Sequence, residues 1–274
     1  MEKIVIQQGI VLSESEKKEI RQNRIYKILP VVSIILLSAL WLFASKEVLG
    51  FPSPAETWER FTQLLEKPIK ALSLWGHIFV SLQRVFLALV LSWIIGISFG
   101  ILLGWSEKCN ALFGPVFTAF RAVPPLALIP LITIWFGTGE GPKVLLVFIG
   151  ALMPVVVNTQ AGMRNVNKLY LDVGTIFNAT DRQKLFQIAI PSALDAIFAG
   201  VRTSASAAWM VVLAAEMLGA KAGVGFLIIR GMDSGDEALV LLSMICIGIV
   251  GAMLAVATQI AEGVLCPWTR KGSN

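Results

Sequence analysis

Histidine occurs once in this chain, as His77, and cysteine three times, as Cys109, Cys246 and Cys266. A His/Cys metal centre needs three or four ligands brought together, and such a scatter supplies no ligand set. A lone histidine near the end of an apolar stretch also provides no nucleophile with its base. The cysteines form no disulfide framework. Cys246 falls in the middle of an apolar run, and the other two face a reducing compartment in the topology derived below. Charge is scarce as well. Charged residues make up 15% of 274 and apolar residues 56%, with a mean hydropathy of +0.75, where a soluble domain carries about 25% charged residues. An ordinary soluble enzyme is excluded.

What is present is long apolar runs. Residues 28–44, 85–105, 144–163 and 238–261 contain no charge, and 111–136 and 196–215 contain one arginine each, Arg121 and Arg202. Runs of ~20 apolar residues read as membrane-spanning helices, so six spans are expected. With the N-terminus inside, and with Arg84, Arg121 and Arg202 in or at spans left out, Lys and Arg divide thirteen to seven in favour of the cytoplasmic segments, and such an excess marks the inner side. Both termini are then cytoplasmic, and the net charge of +5 needs no nucleic-acid partner. The first span follows a long charged leader and lacks a small-x-small cleavage site, so it is expected to be retained.

Residues 1–27 form a polar cytoplasmic tail, in which Ser13 and Glu16 match a capping box for a short surface helix; a solvated, disordered tail is the other reading. The transmembrane domain covers 28–268 and a second short tail covers 269–274. An external amphipathic segment, 50–76, opens with FPSPAETW: Ser53 caps, Pro54 suits the first helical position, and Glu56 completes the box. Trp58, Phe61, Leu64 and Leu65 are expected on one face. Gly96, Gly100 and Gly104 form a smooth stripe on the second span, open to close approach by another helix. The third span carries RAVPPLALIP. Pro124, Pro125 and Pro130 cannot continue a regular helix, so a broken span lining a cavity is expected, with Arg121 beside it. GTGEGPKV, residues 137–144, fails as a phosphate loop because Pro142 precedes and Val144 follows its lysine. It reads as a tight external loop.

Between the fourth and fifth spans lies a polar cytoplasmic island, 165–190. One short helix over 167–177 is expected to end at Asn178, which tolerates a left-handed backbone. Thr180 and Gln183 then cap a second helix, 181–189, ending before Pro191. Its apolar residues Leu185, Phe186, Ile188 and Ala189 suit either docking into a soluble partner or packing on its own bundle.

The stretch LDVGTIFNATDRQKLFQIAIPSALDAIFAGVRTSASAAWMVVLAAEMLGAKAGVGFLI resembles the signature region of ABC-importer permeases, the EAA loop. Asp172, Val173 and Gly174 occupy its acidic-small-small triplet, with Val173 and Gly174 in place of alanines. Asn178 stands where glycine is usual, Ala179 and Thr180 follow, and Pro191 matches the proline. HIFVSLQRVFLALVLSWIIGISFGILLG, FRAVPPLALIPLITIWFGTGEGPKVLLVF and FPSPAETW are similar to the nitrate/sulfonate/taurine/bicarbonate branch. The resemblance implies an all-α, six-span type I importer fold in a bacterial inner membrane. It implies a second permease copy, two ATPase subunits carrying ATP and Mg2+, and a periplasmic or lipid-anchored solute-binding protein. This chain would bind no cofactor and perform no chemistry. Phe177 and the triplet would belong to the ATPase-coupling loop.

Pathway candidates come from the third and fifth spans: Arg121, Pro124, Pro125, Trp135, Arg202, Ser204, Ser206, Trp209 and Glu216. Arg202 lies 11 residues after Pro191, roughly 16 Å along a helix and near the middle of a ~30 Å core. A cation among hydroxyls suits a sulfonate, nitrate or carboxylate; equally, Arg202 pairs with an acid or helix-end carbonyls and holds the fold. Trp135 and Trp209 gate the path or simply pack. Glu216 is expected to meet a basic loop residue or the binding protein. A six-span secondary transporter or channel without ATP is the alternative, but it would usually place titratable acids at mid-membrane, and the span centres hold none.

Overall fold

The computed structural model describes residues 14–48 and 50–265. Ser13, Cys266, residues 1–13 of the expected tail and the whole 269–274 tail lie outside the described residues. The chain divides into two compact units, Met1–Thr57 and Trp58–Asn274.

In the first unit, α1 runs unbroken from Glu14 to Glu47. The short surface helix and the first span are therefore one rod, because no glycine or turn sequence interrupts residues 14–29. Pro30, the third residue of the apolar run, is absorbed without ending the helix. Trp41 Nε1 donates to the Pro52 carbonyl at 3.0 Å. The expected capping box is present: the Ser53 N–H donates to Glu56 at 2.7 Å, and the Glu56 N–H donates to Ser53 Oγ at 3.3 Å. The first of these bonds holds the Glu56 carboxyl below its ordinary range. This box opens α2, Pro54–Glu66.

In the second unit, Leu64 of α2 is fully buried and Phe61 partly so, while Trp58 and Leu65 are exposed. The expected four-residue apolar face is thus only half used. Three long helices form the centre: α3 (Leu74–Trp105), α6 (Glu140–Arg164) and α9 (Ile190–Met217). The glycine stripe explains their closeness. A Cβ on Gly96 would stand 2.9 Å from Val155, one on Gly100 2.6 Å from Thr159, and one on Gly104 against Met163. Contacts that advance together along both chains make α3 and α6 parallel. On its other side α6 meets α9 antiparallel, through Gly150 on Val211, Gly162 on Ala196 and Gly200 on Asn158. Backbones this close gain dispersion contacts that lipid tails cannot match.

The third span is broken as expected. α4 (Glu107–Arg121) and the segment Pro125–Phe136 meet at 84°. Pro125 forces the preceding residue, Pro124, into an extended conformation (φ −59°, ψ 132°). Pro130 then falls in the first turn of α5 (Ile129–Phe136), where its missing donor is not needed. The 137–144 loop is shorter than expected, since α6 starts at Glu140 and includes Pro142 and Lys143. α7 spans Lys168–Ile176, and α8, Asp181–Gln183, leads through a π turn, Lys184–Ala189, directly into α9. The expected stop before Pro191 does not occur. The Ile190 N–H donates to the Leu185 carbonyl, five residues back, so the chain rewinds locally and admits the proline. α10 (Val224–Ser234) and α11 (Glu237–Leu265) complete the unit. Among the described residues, five helices are long and apolar enough to cross a membrane, six if the bent pair counts as one span.

Gly100→Val is expected to cost about 1–3 kcal/mol through overpacking against Thr159 and the Val156 carbonyl. Gly248→Ala, at a glycine with open space around it, is expected to be silent. Thermal unfolding of the two purified variants, followed by size-exclusion, separates the outcomes.

Candidate functional site

Three arrangements carry polar chemistry. The first is the island. The Asn167 side chain caps α7 by accepting from the Leu169 N–H at 3.0 Å. Asn178 ends the first helix with φ +55°, the left-handed backbone that asparagine adopts more readily than most residues. The Ala179 N–H returns to the Gly174 carbonyl at 2.9 Å. Thr180 and Gln183 then close a reciprocal capping box. Gly174 is buried inside this pair of helices, where a Cβ would stand 2.8 Å from Ile188 Cδ1. The apolar residues expected to face a partner divide. Ala189, Leu185 and Ile188 turn inward, toward Met163, Ala193 and the first helix. Val173, Phe186, Ile176 and Phe177 are exposed, the last two by 77% and 79%. Asp172 and Thr180 are exposed as well.

The second arrangement is the uncovered face of α9. Pro191, Ser192, Asp195, Arg202, Thr203, Ser206 and Met210 are exposed at three- to four-residue spacing. On α3 the uncovered positions include Phe79, Phe86, Leu91 and Ile94, and on α11 Met244, Ile249, Met253 and Ile260. Met210 is the one large exposed apolar residue of α9. Arg202 Nη1 stands 2.7 Å from Glu262 Oε2 on the last turn of α11, with side chains 45% and 14% exposed. Ser204 and Trp209 do not share this face. Ser204 Oγ accepts from Trp93 Nε1 of α3 at 3.0 Å, and Trp209 Nε1 donates to the Ile247 carbonyl of α11 at 3.1 Å.

The third is a charge cluster built around the buried Arg84 and Glu216, with the exposed Glu140, at the Leu74 end of the bundle, opposite the island. Arg84 of α3 forks onto Glu140, Nε to Oε2 at 2.6 Å and Nη2 to Oε1 at 2.8 Å. Its Nη1 reaches Glu216 Oε1 at 2.6 Å and the Ala222 carbonyl at 2.9 Å. The second oxygen of Glu216 accepts from Ser81 Oγ and from the Gly225 N–H, each at 2.9 Å. Ser81 Oγ also accepts from the Val224 N–H. His77 Nδ1 accepts from the Gly223 N–H at 3.1 Å, so Nε2 carries the proton that faces the Ile69 carbonyl. Side chains from α3 and α9 therefore satisfy the free N–H groups at the start of α10, where a carboxylate is electrostatically favoured. Gly223, at φ +123°, passes so close to Glu216 that a Cβ would collide with the carboxylate.

Residues 94–271 match the family described as the binding-protein-dependent transport system inner membrane component. The chain is 31% identical over 250 residues to the nitrate import permease protein NrtB of Synechocystis sp., covering 88% of this chain and 90% of that protein. The chain belongs to this family. The permease is also 29% identical to the taurine transport system permease protein TauC of Escherichia coli, with 85% and 86% covered. It is 30% identical to the putative aliphatic sulfonates transport permease protein SsuC of Bacillus subtilis, with 88% and 86% covered. Its fold is that of the MetNI methionine ABC transporter, solved in inward facing conformations, with a TM-score of 0.58 at 16% identity, over 67% of this chain and 91% of that one. The permease is a multi-pass inner-membrane subunit of an ABC importer with the type I transmembrane fold.

Within the permease, three of the pathway candidates lie inside the bundle, and for Trp209 this is the packing reading. Glu216 is a buried partner of Arg84 and Ser81 rather than a loop or docking contact. Ser204 and Trp209 bind α9 to its neighbours. Each has a polar atom that closes a helix–helix hydrogen bond, which draws it inward. Arg202 and Ser206 remain on the uncovered face. Arg121 and Pro124 are exposed at the bend, with Pro125 half-buried there, and Trp135 and Phe136 are exposed on α5. Arg84, Glu140 and Glu262 were not singled out from sequence because each sits at the edge of an apolar run, where charge is ordinary. For Arg84 and Glu140 a signal was available, since with Glu216 they fall near the same end of three spans; for Glu262 there was none.

Arg84→Met leaves the Glu216 carboxylate buried and unpaired, an expected loss of about 3–5 kcal/mol. The double variant Arg84→Met/Glu216→Leu removes both charges and is expected to regain part of it. Yield of monodisperse detergent-extracted permease reads the difference. A fully stable Arg84→Met would show that the cluster does not anchor α10.

Proposed function

We propose that the permease pairs with a second copy to form the translocation pathway for a small anionic solute, such as a sulfonate or nitrate. A solute-binding protein delivers the solute from outside, and two separate ATPase subunits, which hold ATP and Mg2+, drive the cycle. The permease itself catalyses no reaction and binds no cofactor. The observation that carries this reading is the polar uncovered face of α9 beside the apolar uncovered faces of α3 and α11. Arginine and hydroxyls facing acyl chains are costly; facing water, between two copies, they are not. A guanidinium offers sulfonate or nitrate oxygens paired donors. The names of the relatives, for nitrate, taurine and sulfonates, favour the same solute class.

The island is the element that engages the ATPase. Ile176, Phe177, Val173 and Phe186 offer apolar surface at the end of a helix pair whose own interior is filled through Gly174 and Ala179. Because α8 is continuous with α9, over Asp181–Met217, a push on the island moves the polar face as one rod. A few kcal/mol of differential binding suffices to reverse a two-state equilibrium of this kind.

Two experiments test the reading. Asn178→Gly is expected to be nearly silent, since glycine reaches a positive φ freely. Asn178→Val costs roughly 1–3 kcal/mol locally, and Gly174→Arg wedges the two short helices apart at Ile188. Both should insert in the membrane yet lose the co-purifying ATPase or ATP-driven uptake in proteoliposomes. Parental uptake with a full ATPase complement in both would remove the island from the coupling role. For orientation, Thr138→Cys and Gln183→Cys are introduced with the native cysteines replaced. Thr138→Cys should react with an impermeant maleimide on intact cells and Gln183→Cys should not; the opposite pattern would overturn cytoplasmic placement of the island.

A further inference from the structure

Two arginine ion pairs between the long helices, those of Arg84 and of Arg202, are built differently. Arg84 is 5% exposed and forks onto Glu140 through two aligned hydrogen bonds while also holding Glu216. Arg202 is 45% exposed and meets Glu262 through an ion-pair contact from Nη1; among the described residues no aligned N–H···O bond joins them. The Arg84–Glu216 pair, 5% and 0% exposed and hydrogen-bonded, is costly to open, whereas a pair whose guanidinium is 45% exposed is held more weakly. The second pair therefore has the character of an exchangeable contact. Its position adds to this. Arg202 stands on the rod continuous with the island, Asp181–Met217, and Glu262 stands on a different helix, α11. Movement of one rod against the other changes their separation.

We propose that Glu262 is a stand-in anion for the pathway. Its carboxylate occupies Arg202 when no solute is there, yields to a solute anion, and returns to displace that anion toward release. This rests on the reading of α9 as an anion pathway. It also explains how a guanidinium on that face binds an anion without retaining it: the exchange replaces one oxyanion partner with another, so the arginine is never left without a counter-charge. Conduction requires binding weak enough to leave, and an internal competitor provides it.

The test uses the purified permease–ATPase complex, with labelled ethanesulfonate and labelled nitrate as probes. Equilibrium retention is measured without the binding protein, and ATP-driven uptake is measured in proteoliposomes with it. Glu262→Gln is expected to retain the probes about five-fold more than the parent, a factor matching one half-exposed ion pair, and to take them up more slowly by a similar factor. Arg202→Gln should retain neither, and the double variant should behave as Arg202→Gln, because Glu262 acts only through Arg202. Glu262→Asp, which lengthens the contact, should shift retention in the same direction as Glu262→Gln. Parental retention and uptake by Glu262→Gln, with Arg202→Gln inactive, would overturn the stand-in alone. Restoration of uptake by the exchanged pair Arg202→Glu/Glu262→Arg, or failure of both Glu262 variants to accumulate, would make the contact a structural staple and also overturn it. Uptake by Arg202→Gln at the parental rate would instead overturn the anion-pathway reading beneath it.

Discussion

Close approach of three backbones, α3 and α9 on either side of α6, is the constraint on which the rest of the second unit depends. Apolar side chains gain nothing by leaving lipid for one another, so a bundle in a bilayer is held by contact density and by polar groups that find partners. Glycines at 96, 100 and 104 on one side, and at 150, 162 and 200 on the other, let Val155, Thr159, Met163, Val211, Ala196 and Asn158 reach backbone. That geometry sets the register of every polar contact between the helices, including those of Arg84 with Glu140, Trp93 with Ser204 and Ser92 with the Phe148 carbonyl.

Once the register is set, polar side chains divide between two uses. At the Leu74 end, Arg84, Glu216, Ser81 and His77 are consumed in anchoring α10, a short helix whose first N–H groups would otherwise lack partners. Lys70 lies over the Phe226 ring of the same helix at 4.7 Å, and Arg60 pairs with Asp236 just beyond its end at 2.6 Å. On the uncovered face of α9, Thr203 and Ser206 are exposed beside Arg202, whose guanidinium meets Glu262 of α11. Each hydroxyl that bonds back to its own helix, such as Thr203 to the Ala199 carbonyl, keeps lone pairs available while sparing the helix an unsatisfied group.

The island shows the same economy at a smaller scale. Its inner residues, Gly174, Ala189, Leu185 and Ile188, make the two short helices one body with the base of α9, and its outer residues, Ile176, Phe177 and Phe186, are left uncovered. The π turn carries the helix through Pro191 without a break.

Much of this was legible in the sequence, and for identifiable reasons. Apolar runs identified the spans because length and hydropathy are local properties. The glycine stripe, the Ser53–Glu56 and Thr180–Gln183 boxes, the bend at Pro124–Pro125 and the left-handed Asn178 were legible because each depends on residues within one or two turns. The family was legible from the motif order, and the relatives agree with it. What the sequence did not determine were the partners of residues far apart in the chain. Whether Glu216 meets Arg84 or solvent, whether Ser204 and Trp209 face a pathway or a neighbouring helix, and whether Ile188 packs inward while Phe177 stays exposed all depend on how helices rotate about their own axes. So does the fate of Pro191, which reads locally as a stop; packing of Leu185 and Ala189 on the bundle keeps the chain helical through it. Helix rotation is decided by the fit of whole surfaces in three dimensions, and only the tertiary structure contains that fit.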